Sequence, residues 1–101
     1  RRAGKRGGEL ALVLEELGEC VSGGESPEGA LEARELGRTI NDFLDTLPPE
    51  KCRLFLCRYW YALPVSEIAE RFGRTEGSVS VTLHRLREKL RSYLTERGYA
   101  P

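Results

Sequence analysis

Apolar residues recur at helical spacing over most of the chain, beginning with a segment that follows residue 25. There the apolar positions step by three and four residues, which predicts one face of a helix: Ala33, Leu36, Ile40, Phe43, Leu44 and Leu47. Ser26 suits the cap of this helix, Pro27 its first position, and Glu28 the positive end of its dipole. Pro48 and Pro49 predict its end.

Two shorter helices are predicted next. Pro49 and Glu50 open the first, and its broad apolar face comprises Cys52, Phe55, Leu56, Tyr59 and Trp60. We expect Tyr59 and Trp60 to pack in the core, whereas the pattern does not decide whether Tyr61 is buried or exposed. Pro64 breaks the chain, and the next helix is predicted from Val65 to Phe72, with an inner stripe of Val65, Ile68, Ala69 and Phe72. Gly73 follows at the position where a left-handed residue commonly ends a helix.

The last predicted helix is the longest. Thr75 is a good cap for it, and its apolar stripe keeps four-three spacing through Val79, Leu83, Leu86, Leu90 and Leu94, with Tyr93 beside it. Gly98 ends it. No segment of useful length alternates with period two. The pattern therefore predicts an all-α fold, a small domain of about four helices over residues 26–101.

Residues 1–25 are predicted to form a partly ordered linker. The first eight residues are basic and rich in glycine, and a second cluster of helix-breaking residues begins at Ser22. Between them, Leu10, Leu14 and Leu17 have helical spacing and predict a short helix within Leu10–Val21. The same crowded leucines would also suit an extended segment lying against a partner.

Several function classes are excluded by composition. The longest apolar run has five residues, against the roughly 18 that a membrane span needs, and no secretory leader is visible. The three cysteines, Cys20, Cys52 and Cys57, form no Cys-x-x-Cys pair, which favours reduced thiols in a cytoplasmic protein over a disulfide framework or a zinc site. Cys20 is expected to be exposed and prone to oxidation. No phosphate-binding loop or catalytic triad is present, so no enzymatic activity and no cofactor are expected.

A net charge of zero at first argues against a nucleic-acid partner, but the charges are segregated. Residues 1–8 carry +4, residues 9–47 carry −8 and residues 48–101 carry +4. The segment from Arg74 to Arg91 alone carries +3. Because phosphate binding depends on such local charge, the basic end of the chain is where DNA is expected to bind.

The third and fourth predicted helices, joined by residues 73–75, have the sequence pattern of a helix-turn-helix. In this unit the second helix presents the outward residues of its N-terminal half to the major groove. The candidate DNA-binding residues are Arg74, Thr75, Glu76, Ser78, Ser80, Val81, Thr82, His84, Arg85, Arg87 and Lys89. A solvated amphipathic helix in an ordinary bundle is the alternative, since basic residues also favour the C-terminal end of a helix dipole.

Five segments together resemble region four of bacterial sigma factors, in particular those of the extracytoplasmic-function group: residues 47–50, 55–59, 65–73, 75–79 and 83–90. The resemblance covers about residues 30–95. The run from Lys5 to Gly8 resembles the tail of region two as it enters the linker. The resemblance thus implies that residues 1–25 connect two sigma domains.

The resemblance implies that the helix-turn-helix reads the −35 promoter element and that other surfaces dock on the β-subunit flap of core RNA polymerase. Two alternatives stay open: a free-standing helix-turn-helix regulator or recombinase-type tail, and a sigma-like domain held mainly by an anti-sigma protein. Positions 80 and 82 are often basic in this family and position 74 is often aliphatic, whereas this chain has Ser80, Thr82 and Arg74. Each missing cation weakens attraction to phosphate.

Overall fold

The computed structural model describes residues 2–18, 20 and 29–98, with side chains from residue 8 in the first segment and from residue 34 in the last. It has five helices: α1 Arg2–Gly18, α2 Gly29–Asp45, α3 Pro49–Tyr59, α4 Val65–Phe72 and α5 Glu76–Glu96. None of the described residues lies in a strand, which confirms the all-α fold class. Among the described helices, none has the length and apolar character needed to cross a bilayer.

Helix α5 is the element around which α2, α3 and α4 pack. All five residues of its predicted stripe are buried, with at most 2% of each exposed: Val79, Leu83, Leu86, Leu90 and Leu94. Helices α2, α3 and α4 each contact α5, and α3 also contacts α4. The four-three spacing of the stripe therefore predicted the centre of the core correctly.

Helices α2 and α3 enter this core largely as predicted. Phe43 and Leu44 of α2 and Phe55 of α3 are buried, and the half-buried Leu36, Ile40 and Leu47 pack against them. The proposed cap at Ser26–Glu28, and the side chain of Ala33, lie outside the described residues. Leu54, which the sequence reading omitted, is fully buried.

Aromatic rings join three of the helices within the core. Phe43 of α2 lies edge-on to Phe55 of α3, with ring centroids 6.3 Å apart. Phe43 also meets Tyr93 of α5 at 5.4 Å, and Phe55 meets Tyr59 at 4.7 Å. These separations fall in the favourable range for aromatic pairs, so the rings fix the relative positions of α2, α3 and α5.

The expectation that Trp60 packs in the core is wrong, because 75% of it is exposed. Helix α3 ends at Tyr59, and Trp60 is its C-terminal cap residue, at the point where the chain leaves the helix. Its predecessor Tyr59 packs against the core as expected. Tyr61, which the sequence left open, is 58% exposed.

Helix α1 differs most from its prediction. It begins at Arg2, well before Leu10, and ends at Gly18 rather than Val21. Its predicted leucine face is only partly correct: Leu17 packs against the core, but Leu10 and Leu14 are 47% and 59% exposed, and Val13 is buried instead. The buried face is instead the one that carries Glu9 and Glu16 toward α3, because a buried arginine there needs acceptors, as described below.

Cys20 follows α1 and is 2% exposed, so its expected exposure is also wrong. Its thiol lies 3.5 Å from the backbone carbonyl of Arg87 on α5 and donates to it. A thiol held in this way is shielded from oxidants. The assignment of residues 1–25 to an inter-domain linker stays a prediction.

Burial of the α5 stripe can be tested with two matched substitutions. Val79→Asp places a carboxylate at a fully buried site and should destabilise the domain by about 3–5 kcal/mol, enough to unfold much of it. Val81→Asp makes the same chemical change two residues away, where half of the side chain is exposed, and should cost less than about 1 kcal/mol. Thermal melting followed by circular dichroism distinguishes them, and equal melting temperatures would contradict this packing.

Candidate nucleic-acid interface

The α4–turn–α5 unit has the geometry of a helix-turn-helix. Helix α4 has the bounds predicted for it and ends at Gly73, whose φ of 64° is left-handed and favours glycine. The backbone N–H of Arg74 then donates to the carbonyl of Ala69 at 2.9 Å, which closes the turn. The Thr75 hydroxyl accepts from the backbone N–H of Ser78 at 3.1 Å and caps α5 as predicted.

Most of the candidate DNA-binding residues lie on the solvent side of α5. Seven are exposed: Thr75, Glu76, Ser80, Val81, His84, Arg85 and Lys89. His84 lies 3.2 Å from the carboxylate of Glu88, one turn further along the helix. The outer side of α5 therefore offers exposed residues from Glu76 to Lys89, among which Arg85 and Lys89 supply positive charge.

Three further candidates form a cluster at the start of α5. The Arg74 guanidinium donates from Nε and Nη2 to the Ser78 hydroxyl, at 3.0 and 2.7 Å. Nη2 also donates to the Thr82 hydroxyl at 2.8 Å. Nη1 lies 3.7 Å from the carboxylate of Glu50 on α3. The residues at positions 74 and 82, which both depart from the family pattern, are thus joined to each other by a hydrogen bond.

Arg87 lies apart from the other candidates. Its side chain is only 18% exposed, and Nη1 donates to the Tyr59 hydroxyl at 2.7 Å and to Glu16 Oε1 at 3.4 Å. These partners belong to α3 and α1. The structure therefore does not bring Arg87 together with Arg74 and Arg85, and it is left out of the interface proposed below.

The partners of Arg87 belong to a polar network centred on Arg58, which sequence reasoning missed. Arg58 is 3% exposed, and its guanidinium donates to Glu16 at 3.3 and 3.1 Å, to Glu9, and to the carbonyl of Leu63 at 2.8 Å. The Tyr59 hydroxyl donates to Glu16 at 2.8 Å. We call these five side chains the Arg58 network: Glu9, Glu16, Arg58, Tyr59 and Arg87.

A signal for this network is present in the sequence. Glu9, Val13, Glu16, Leu17 and Cys20 recur at helical spacing, so the carboxylates share one helix face with apolar residues. A helix face that mixes carboxylates with apolar residues suits neither full exposure to solvent nor an apolar core. It suits packing against a helix that carries a buried cation.

The electrostatics of the network agree with its geometry. Burial acts to raise the pKa of Glu16, but hydrogen bonds from Arg58 and Tyr59, with the charges of Arg58 and Arg87, outweigh it and hold this pKa below its usual value. Burial likewise acts to lower the pKa of Arg58, and its hydrogen bonds to Glu16 and Glu9 raise it instead. Burial raises the pKa of the Tyr59 hydroxyl well above its usual range, so this group keeps its proton at neutral pH and donates a hydrogen bond to Glu16.

A family model described as sigma-70, region 4 matches residues 37–90, which is more than half of the chain. The chain belongs to the sigma-70 region 4 family. This family comprises the DNA-binding C-terminal region of sigma factors, regulatory domains that work with DNA and RNA polymerase rather than enzymes. Neither the curated proteins nor the solved structures give a significant match.

The matched part of this region 4 chain includes all of α3 and α4 and most of α5. Helix α1 lies outside it, as do Glu9 and Glu16. The family match therefore covers the helix-turn-helix and the Arg58 side of the network, whereas the acidic side comes from a segment that the match does not include.

Glu16→Gln tests the network through its pH dependence. A carboxyl whose pKa is lower in the folded state than in the unfolded state stabilises the fold above its unfolded-state pKa. That stabilisation is lost as the pH falls through the folded-state pKa. We expect the variant to lose about 1–2 kcal/mol of unfolding free energy at pH 7, with the difference shrinking below about pH 4.5.

Glu15→Gln is the matched control, because Glu15 is the exposed neighbour on the same helix. Urea titrations of the three proteins from pH 7 to pH 3 make the comparison. If the unfolding free energies of wild type and Glu16→Gln differ by the same amount at every pH, the charge of Glu16 does not stabilise the fold.

Proposed function

We propose that the chain is the C-terminal domain of an extracytoplasmic-function sigma factor, which recognises the −35 promoter element and docks on the β flap of core RNA polymerase in the cytoplasm. One observation carries this proposal: the second helix of a sigma-70 region 4 helix-turn-helix exposes the cations Arg85 and Lys89 on its outer side, with Arg74 at its start. Residues 1–25 would then connect it to a region two domain.

The DNA side of the proposal rests on charge and exposure. Arg85 and Lys89 lie on the exposed side of α5, and Arg74 stands at its N-terminal end. Cations beside and along a recognition helix bind phosphates and fix its register, while the residues between them contact the edges of the bases. The exposure of Ser80 and Val81 supports that second role for them.

The polymerase side rests on an apolar cleft. Helices α1, α2 and α3 enclose it, and its lining includes Leu17, Ile40, Leu44, Phe55, Leu56 and Trp60. Trp60 is 75% exposed, although large aromatic residues of this kind gain most from burial at an interface. The cleft therefore fits an apolar segment of a protein partner, and the β flap is the partner that the family suggests.

The two surfaces lie at opposite ends of α3. Glu50 in its first turn contacts Arg74 of the DNA side, while Phe55, Leu56, Tyr59 and Trp60 toward its other end line the cleft. Separate surfaces allow the domain to hold DNA and polymerase at the same time, as promoter recognition by a holoenzyme requires.

A second candidate function is capture by an anti-sigma protein. One side of α1 favours it, because Leu10 and Leu14, one turn apart, are 47% and 59% exposed and leave an apolar strip uncovered. A partner that covers this strip would bind without touching the outward side of α5.

Two variants separate the DNA side from the polymerase side. Arg85→Ala should weaken binding to a mixed-sequence duplex and lower the slope of log affinity against log salt by about one, because one phosphate contact is lost. It should leave the affinity for core polymerase unchanged. Trp60→Ala should do the reverse and lower polymerase affinity about tenfold or more.

Arg38→Ala controls for net charge, since Arg38 is exposed on α2, away from the helix-turn-helix. Fluorescence anisotropy at several salt concentrations measures the duplex, and a pull-down on core polymerase measures the other partner. An unchanged salt slope for Arg85→Ala would contradict the DNA assignment. Loss of both affinities in Trp60→Ala would contradict the separation of the surfaces.

A further inference from the structure

The exposed acids and bases on the outer side of α5 cancel one another. Between residues 76 and 89 this side exposes two acids and two bases: Glu76, Glu88, Arg85 and Lys89. The other charged residue of this stretch, Arg87, donates to Tyr59 and Glu16 instead. Arg74 precedes the helix and lies within ion-pair distance of Glu50. The four exposed side chains therefore give the outer side of α5 no net charge.

A histidine lies within this balanced set of charges. His84 is the only histidine of the chain, it directly precedes Arg85, and 60% of its side chain is exposed. Histidine is the side chain whose charge normally changes between about pH 5 and pH 8. Protonation of His84 therefore changes the net charge of the exposed side chains from zero to +1. A single proton determines whether this surface attracts phosphate.

The groups around His84 leave its imidazole accessible to a phosphate. Nε2 lies 3.2 Å from the carboxylate of Glu88, whose side chain is 68% exposed. Among the described residues this is the only acid within 4 Å of the imidazole, and α2, α3 and α4 place none there. Of the cations next to it on α5, Arg85 is exposed and Arg87 is bound to Glu16. An exposed ion pair is weak, so a phosphate can replace Glu88 as the partner of His84.

A bound duplex changes the proton equilibrium of such a histidine. Phosphates line both sides of the groove that a recognition helix enters, and a neighbouring anion stabilises an imidazolium relative to a neutral imidazole. The two equilibria are linked, so an anion that favours proton uptake is itself bound more tightly by the protonated protein. The affinity for DNA is then expected to rise as the pH falls, with uptake of a proton on binding.

Resting on the DNA binding proposed above, we propose that His84 makes DNA binding by this domain pH-dependent. In its protonated form it contacts a phosphate of the duplex, and Glu88 opposes this contact by competing for the imidazolium and repelling the phosphate. The neutral imidazole leaves the outer side of α5 without net charge, and the duplex is held more weakly. The domain therefore binds DNA more tightly after a modest acidification.

The test uses the chain itself and a mixed-sequence duplex, with fluorescence anisotropy recorded from pH 8 to pH 5.5 at fixed salt. The affinity of the wild type should increase about three- to tenfold from pH 8 to pH 6, the effect expected of one added charge near phosphate. The slope of log affinity against log salt should steepen by about one over the same range, because one further phosphate is contacted. Melting curves at each pH establish that the chain is folded.

Two substitutions at position 84 fix the two charge states. His84→Gln is neutral at every pH and should keep the wild-type affinity of pH 8 throughout. His84→Lys is charged at every pH and should keep the higher affinity of pH 6 throughout. The site is exposed, so both variants should fold. Opposite effects of the two variants separate charge from the mere loss of an imidazole.

Glu88→Gln tests the opposing carboxylate. It removes a negative charge beside His84 and should raise the affinity at every pH while the pH dependence remains. Glu96→Gln is the matched control, because it makes the same change two turns further along α5, at a side chain that is 76% exposed. It should alter the affinity less than Glu88→Gln does.

Several outcomes would overturn the inference. A pH dependence that persists in His84→Gln would assign it to another group, and an affinity that falls with acidification would contradict the direction. Equal effects of Glu88→Gln and Glu96→Gln would remove the role of Glu88. Salt-dependent wild-type binding that is the same at every pH would refute the inference and leave the proposed function intact, whereas absence of salt-dependent binding at any pH would refute both.

Discussion

A buried guanidinium constrains how this small domain is assembled. Arg58 is almost completely removed from water, and a charge in that position is tolerated only when carboxylates and carbonyls surround it. One acceptor, the Leu63 carbonyl, comes from the turn that follows α3. The other two are Glu9 and Glu16, so α1 must lie on α3 with its acidic face inward. The exposed leucines of α1 are a consequence of that requirement.

The same network also determines which arginine side chains are available to bind DNA. Glu16 binds both Arg58 and Arg87 and thereby removes Arg87 from the surface where its position in the sequence had placed it. Arg85 is instead exposed on α5, and Arg74 is bound to Ser78 and Thr82 at the start of that helix. The chain is neutral overall, yet its negative charges on α1 compensate cations that are structural, and the cations of the helix-turn-helix keep their charge for phosphate and base.

The sequence predicted the helix-turn-helix well because purely local rules determine it. The α4 bounds, the left-handed Gly73, the Thr75 cap and the stripe beginning at Val79 each depend on residues within a turn or two of one another. Trp60 was assigned wrongly because helix periodicity was extended one residue past the end of α3. Spacing alone does not show where a helix stops.

Local rules could not predict which face of α1 is buried or which role each site residue has. The buried face of α1 is selected by Arg58, more than forty residues away in sequence, and the hydrophobic pattern of the helix alone favours the leucine side. The partners of Arg74 and Arg87 are also set by tertiary contacts, since both are simply cations near the recognition helix when read as sequence. One is joined to Ser78 and Thr82, the other to Glu16 and Tyr59.

The division of arginines between structural and DNA-binding roles is the central claim, and side-chain NMR tests it directly. The Nε–H signals of Arg58, Arg74, Arg85 and Arg87 are followed while a duplex is added to the chain. The account predicts that the signals of Arg74 and Arg85 shift, while those of Arg58 and Arg87 stay where they are. Shifts of Arg58 and Arg87 with unchanged signals from Arg74 and Arg85 would contradict it.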